Sequence, residues 1–128
     1  MKTILITILV LVAFSSCVKQ TGQWSDNIHL SGKKFTFNAN GDSVLITTKG
    51  KWWWLKFAQL DSTYTPMPSD AVLCDFAYTD SSFQIVRMGC DTLIVKMNEN
   101  KANASRVLTV GLEAGDYFDG VQIAQLAR

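Results

Sequence analysis

The stretch "KFTFNANGDSVLITTKGKWWWLKF", Lys34–Phe57, sets the period on which the fold is read. Phe35, Phe37 and Ala39 recur at every second position, with Thr36 and Asn38 between them. Successive side chains of a strand point to opposite faces, so this alternation predicts a half-buried strand and not a helix. Asn40-Gly41-Asp42 predicts a hairpin turn, and "SVLITT" after it is rich in strand formers. Lys49-Gly50-Lys51 marks a second turn, and the strand bearing Trp52, Trp53 and Trp54 follows.

Parity divides these three rings. Trp53, Leu55 and Phe57 share one face, which is uninterrupted and apolar and so predicts core. Trp52 and Trp54 share the other with Lys56, whose charge predicts solvent. Indoles two residues apart on a strand lie about 6.5–7 Å apart, a spacing suited to stacking on a sugar or a protein surface. The competing reading is that segment 61–70, with Tyr64 and Met67, folds over them. The candidate ligand-binding residues are Trp52, Trp54, Lys56 and Tyr64.

The same period runs to the C-terminus. "AVLCDFAYT" aligns Val72, Cys74, Phe76 and Tyr78; "DTLIVKM" aligns Leu93, Val95 and Met97; "RVLTVGLEAG" aligns Leu108, Val110 and Leu112. Segment 61–70 holds both prolines and reads as a long connection crossing between two sheets. Seven to eight short strands with regular turns predict an all-β chain, an antiparallel β-sandwich with a barrel as the alternative.

The first residues belong to a different part of the protein. Lys2, an apolar run from Ile4 to Phe14 and small residues before Cys17 form the pattern of a secretory signal. That run is shorter than the roughly 20 apolar residues of a membrane-spanning helix. "AFSSC" resembles a bacterial lipoprotein box, with Phe14 where Leu, Val or Ile is usual. The resemblance implies acylation of Cys17 and attachment to a lipid bilayer. The organisation expected is a signal peptide over 1–16, lipidated Cys17 and a tether over 17–29, and a single domain over 30–128.

Charge and chemistry narrow the function classes. The chain has 12 Lys and Arg; removing Lys2 leaves 11, against 11 Asp and Glu, so the mature chain is neutral. Clustered basic residues mark nucleic-acid binding, and none are present. Cys74 and Cys90 could pair in an exported protein, although cysteines in apolar surroundings are more commonly small core residues. His29 is the only histidine, with no partner at a metal-ligand spacing. Asp61, Asp70, Asp75, Asp80 and Asp91 stand mostly beside turn residues, where Asp bonds its own backbone. Asp116 and Asp119 are too few for a calcium loop. No Gly-rich phosphate loop is present, no cofactor is implied, and an enzyme is not expected.

"CDTLIVKMNENKANASRVLTVGLEAGDYFDGVQIAQ", Cys90–Gln125, resembles the BACON domain and its relatives. These are immunoglobulin-like β-sandwiches of Bacteroidota lipoproteins. Strand "DTLIVKM", the Asn-rich loop, Arg106 at the start of "RVLTVGLEAG" and the closing Gln of "VQIAQ" carry the likeness. "TTKGKWWWL" is similar to the family's early Gly-Trp strand, and Gln59–Asp80 departs from the pattern. The resemblance implies a non-catalytic cell-envelope module that binds carbohydrate or a partner protein, or a spacer with no small ligand. "VKQTG" after Cys17 has neither the Asp of inner-membrane retention nor the acidic run of surface lipoproteins. By the same resemblance the protein is expected in the outer membrane, facing the periplasm, with the cell surface as the alternative.

Overall fold

The computed structural model describes residues 25–128. The expected signal peptide, Cys17 and most of the tether lie outside them. Nine strands follow in order: β1 (Lys34–Phe37), β2 (Asp42–Thr47), β3 (Trp54–Leu60), β4 (Thr63–Pro66), β5 (Phe76–Thr79), β6 (Phe83–Met88), β7 (Thr92–Met97), β8 (Arg106–Ala114) and β9 (Tyr117–Gln125). They form two sheets, β1-β9-β8-β3-β4 and β2-β7-β6-β5, the arrangement of a sandwich.

Two expectations on strands are corrected. The count is nine rather than seven to eight, because segment 61–70 is not all connection. Asp61, in the left-handed region at φ 51°, turns the chain back, and β4 pairs antiparallel with β3. β4 is an edge strand, where Pro66 withholds no ladder hydrogen bond. The chain crosses to the second sheet only after it, through one 3-10 turn, Ser69–Val72. The sheets are also not purely antiparallel: β1 lies parallel to β9, with Phe35 beside Ile123.

The core lies between the sheets. Ile46, Ile85, Leu93, Val95, Leu108, Val110 and Ile123 are fully buried. Each such side chain contributes about 1.5–3 kcal/mol relative to exposure. The tether reading is corrected at its end: Ile28 belongs to the core, and its carbonyl accepts a 3.0 Å hydrogen bond from Gly50 N. The domain therefore includes residues just before position 30.

Polar groups close one end. Gln125 is buried, and its Oε1 accepts from Arg106 Nε at 2.8 Å. Its Nε2 donates to the carbonyls of Asn98, Asn38 and Ala39. Arg106 and Gln125 stand directly opposite in the β8–β9 ladder, so one side-chain pair ties the last hairpin to two loops.

A candidate binding groove beside the tryptophans

The three tryptophans differ sharply in environment. Trp53 is buried, and its indole Nε1 donates to Thr48 Oγ1 at 2.9 Å. Trp52 is 92% exposed. Trp54 opens β3 and is half-buried. Segment 61–70 therefore covers neither ring fully: it flanks Trp54 and leaves Trp52 open.

Parity holds up to Leu55 and then inverts. Leu55 lies opposite Leu112, but Phe57 lies opposite Gly111, so Lys56 is an extra residue in the strand. Such a bulge turns the following side chains to the other face. Ala58 takes the buried position, and Phe57, expected in the core, points outward. Its ring rests on Gly111, where an added Cβ would overlap it. Phe57 also packs against Tyr64, ring centroids 5.1 Å apart. Lys56 Nζ reaches Glu113 Oε2 at 3.1 Å.

Two shallow depressions adjoin along this edge. One, of about 250 Å³, is lined by Trp54, Lys56, Tyr64, Met67 and Val72 among others. The other, of about 240 Å³, is lined by Trp52, Trp53, Trp54, Val72, Cys74 and Arg87 with Lys51. They share Trp54 and Val72. The four expected ligand-binding residues are thus divided between two adjoining depressions: Lys56 and Tyr64 line the first, Trp52 the second, and Trp54 both. A third depression, of about 290 Å³, lies on the outer face around Lys34, Thr36 and Gln122 and offers no comparable pair of indoles.

Arg87 underlies the groove. It is buried, although it carries a charge, and its guanidinium stacks on Trp53 at 4.1 Å. Nη1 donates to the carbonyls of Val72 and Leu73 at 3.1 and 3.0 Å. Nη2 donates to Lys51 at 3.0 Å and Cys90 at 3.4 Å. One side chain thus joins the segment before β3, the connection before β5 and the β6–β7 turn. Burial lowers its pKa, and the charge of Asp75 opposes this. The structure pairs Cys74 with Cys90 in a disulfide that spans the same junction. Arg87 was not singled out from the sequence. The signal was present, because it shares parity with Phe83 and Ile85, both of them core residues.

Four of the remaining candidates, Asp61, Asp75, Asp80 and Asp119, hold the fold. Asp61, Asp75 and Asp80 accept hydrogen bonds from the backbone N–H groups of Val107, Gly89 and Phe83. Asp119 accepts from Tyr117 Oη and pairs with Lys33, both at 2.8 Å. Burial, and then the bond to Asp119, pushes the Tyr117 pKa up; the same carboxylate raises that of Lys33. His29 is exposed, 4.0 Å from Asp26. Among the described residues no group of three or more His, Cys, Asp or Glu gathers as a metal site would require.

No family model and no curated protein matches the chain. Among solved structures, the chain is similar to a protein from Bacteroides thetaiotaomicron determined by NMR. The two share 23% identity over 85% of this chain and 93% of that one, with a TM-score of 0.66. At that identity the likeness shows the fold alone: this sandwich architecture is shared with that Bacteroides protein over nearly its whole length.

Proposed function

We propose that this chain is a non-catalytic cell-envelope lipoprotein whose sandwich binds carbohydrate or a partner protein in the Trp52–Tyr64 groove. The observation that carries the reading is an indole left 92% exposed at the end of an aromatic-lined groove. Large exposed aromatics on a soluble surface mark interaction sites. Trp54 and Tyr64 supply flat faces, and the Lys56–Glu113 pair supplies hydrogen-bonding groups beside them. That combination suits a sugar, with its apolar faces and hydroxyl rim. Three of the five carboxylates that could serve hydrolysis, Asp61, Asp75 and Asp80, are engaged by backbone N–H groups, which favours binding over catalysis.

The strand order supports an immunoglobulin-like reading. β2, β7 and β6 take the places of strands B, E and D, while β9, β8, β3 and β4 take those of G, F, C and C′. Trp53 then sits one residue before the strand equivalent to C, the strand on which immunoglobulin domains bury a tryptophan. The BACON likeness rests on the sequence of Cys90–Gln125, with Arg106 opening its penultimate strand and Gln125 closing the last. Acylated Cys17 would hold the domain to the outer membrane, on its periplasmic side.

Calorimetric titration with oligosaccharides identified on a glycan array tests the reading. Wild type is expected to bind and Trp54→Ala to lose at least tenfold in affinity, the loss of about 1.4 kcal/mol. Equal binding by both sinks the site. Silence of wild type across the array, together with capture of no envelope protein, favours the spacer reading.

A further inference from the structure

We infer that the ligand of the two adjoining depressions is an acidic oligosaccharide, its carboxylate held by Lys51 and the buried charge of Arg87. The inference rests on the sugar reading of this edge and names the class of sugar.

Charge around the depressions is one-sided. Lys51 and Arg87 line the depression of Trp52, Lys56 lines its neighbour, and no Asp or Glu lines either. The whole chain has 12 Lys and Arg against 11 Asp and Glu, so this is a local separation of charge. Lys56 is already paired with Glu113. Among the described residues, Lys51 and Arg87 take part in none of the ion pairs. Asp75 offsets part of the Arg87 charge from outside the depressions, where its carboxylate accepts from Gly89 N.

The two unpaired cations are held together. The Lys51 carbonyl accepts from Arg87 Nη2 at 3.0 Å, which fixes the Lys51 backbone against the guanidinium. Four carbonyls engage the two Nη groups of Arg87, while its Nε donor is buried with no partner. Carbonyls solvate a charge without cancelling it, and a guanidinium does not lose its proton in a protein. A positive charge therefore stays fixed in the wall of the depression. Charges of one sign along a cleft with low-dielectric walls concentrate the field there and draw in an anion.

The order of side chains selects the anion. Lys51 directly precedes Trp52, and Trp52 and Trp54 line the same depression. A pyranose stacked on an indole turns its ring substituents to the rim. A hexuronate or a sialic acid carries a carboxylate as one of them, beside the lysine. An acidic peptide would use the charge but not the paired indoles, so the sugar is favoured.

The test uses the full mature protein on an array of galacturonate, glucuronate and sialic acid oligosaccharides, each beside its carboxyl methyl ester, with calorimetric titration of the bound pairs. Wild type is expected to bind the acid at least about tenfold more tightly than the ester at low salt. That ratio should shrink as salt screens the charge. Lys51→Gln, at an exposed position, should bring the ratio most of the way to one. Equal binding of acid and ester by wild type overturns the acidic ligand and leaves the sugar groove standing, as does a ratio unchanged in Lys51→Gln. Binding of no sugar, acid or ester, overturns the sugar groove and the acidic ligand together. Polyglutamate that displaces the acidic sugar at equal carboxylate concentration shows charge recognised without a sugar ring, and overturns the inference.

Discussion

At the scale of single residues, Arg87 shows how a charged side chain can belong to a core. Burying a charge costs free energy unless it is paired or bonded, and here four carbonyls and the Trp53 face compensate. Arg87→Met removes all four bonds and leaves the carbonyls without that donor. It is expected to cost about 2–4 kcal/mol in urea unfolding, since hydrogen bonds to charged groups contribute about 1.5–3 kcal/mol each. Arg87→Lys keeps the charge but not the planar fork or the stack, so it should restore little of the loss. A lysine variant as stable as wild type would contradict this account. Gly111 is the second such position. Gly111→Ala puts a Cβ into the Phe57 ring and is expected to cost about 1–3 kcal/mol, as overpacking does. Combining it with Phe57→Ala should recover part of that cost; additive losses would show that the ring does not rest there.

At the scale of elements, the bulge in β3 has a sharp consequence. Lys56 is the surplus residue, so its deletion leaves Trp54 outward, Leu55 inward, Phe57 outward and Ala58 inward, a regular strand against β8. Deletion of Ala58 instead moves Gln59 into a buried place. The Lys56 deletion should therefore unfold at a urea midpoint well above that of the Ala58 deletion; the reverse order would remove the bulge from the account. The same strand shows what was legible beforehand. Period two placed Phe37, Trp53, Leu55, Leu93, Val95 and Leu108 inward, because alternation is a local property of the strand. It failed at Phe57, because a bulge is decided by the partner strand, here by the room above Gly111. β4 was hidden by Pro66 and Pro68, which read as breakers until the edge position of the strand is known. The four expected groove residues were legible from parity and composition. The Arg87 clamp was not, because its partners are backbone carbonyls from three segments.

At the scale of the whole molecule, the two sheets are joined where the chain crosses between them, and a covalent link sits there. The Cys74–Cys90 disulfide closes a loop of sequence separation 16. A loop of that size is stabilised by about 3 kcal/mol in the chain-entropy model. Cys74→Ser with Cys90→Ser should lower the unfolding free energy by about 2–4 kcal/mol, and a non-reducing peptide map should recover the linked pair from wild type. A stable double variant would assign the junction to Arg87 alone. The cluster of Lys33, Tyr117 and Asp119 predicts an alkaline limit. The pKa values of Tyr117 and Lys33 are both raised in the fold. A raised pKa contributes stability that is present below the unfolded value and lost as pH rises through the folded value. Stability should therefore fall above about pH 10, where unfolded tyrosine and lysine begin to titrate. Tyr117→Phe should flatten that fall; an unchanged slope between pH 9 and 11 would remove Tyr117 as a cause.

The measurement that bears most directly on the central claim is an NMR titration of the indole N–H signals with an oligosaccharide ligand. Trp54 and Trp52 should shift with added ligand, while Trp53, bonded to Thr48 and stacked under Arg87, should not. Saturating ligand that leaves the Trp54 signal unmoved, or moves Trp53 alone, would contradict a binding groove at this edge of the sandwich.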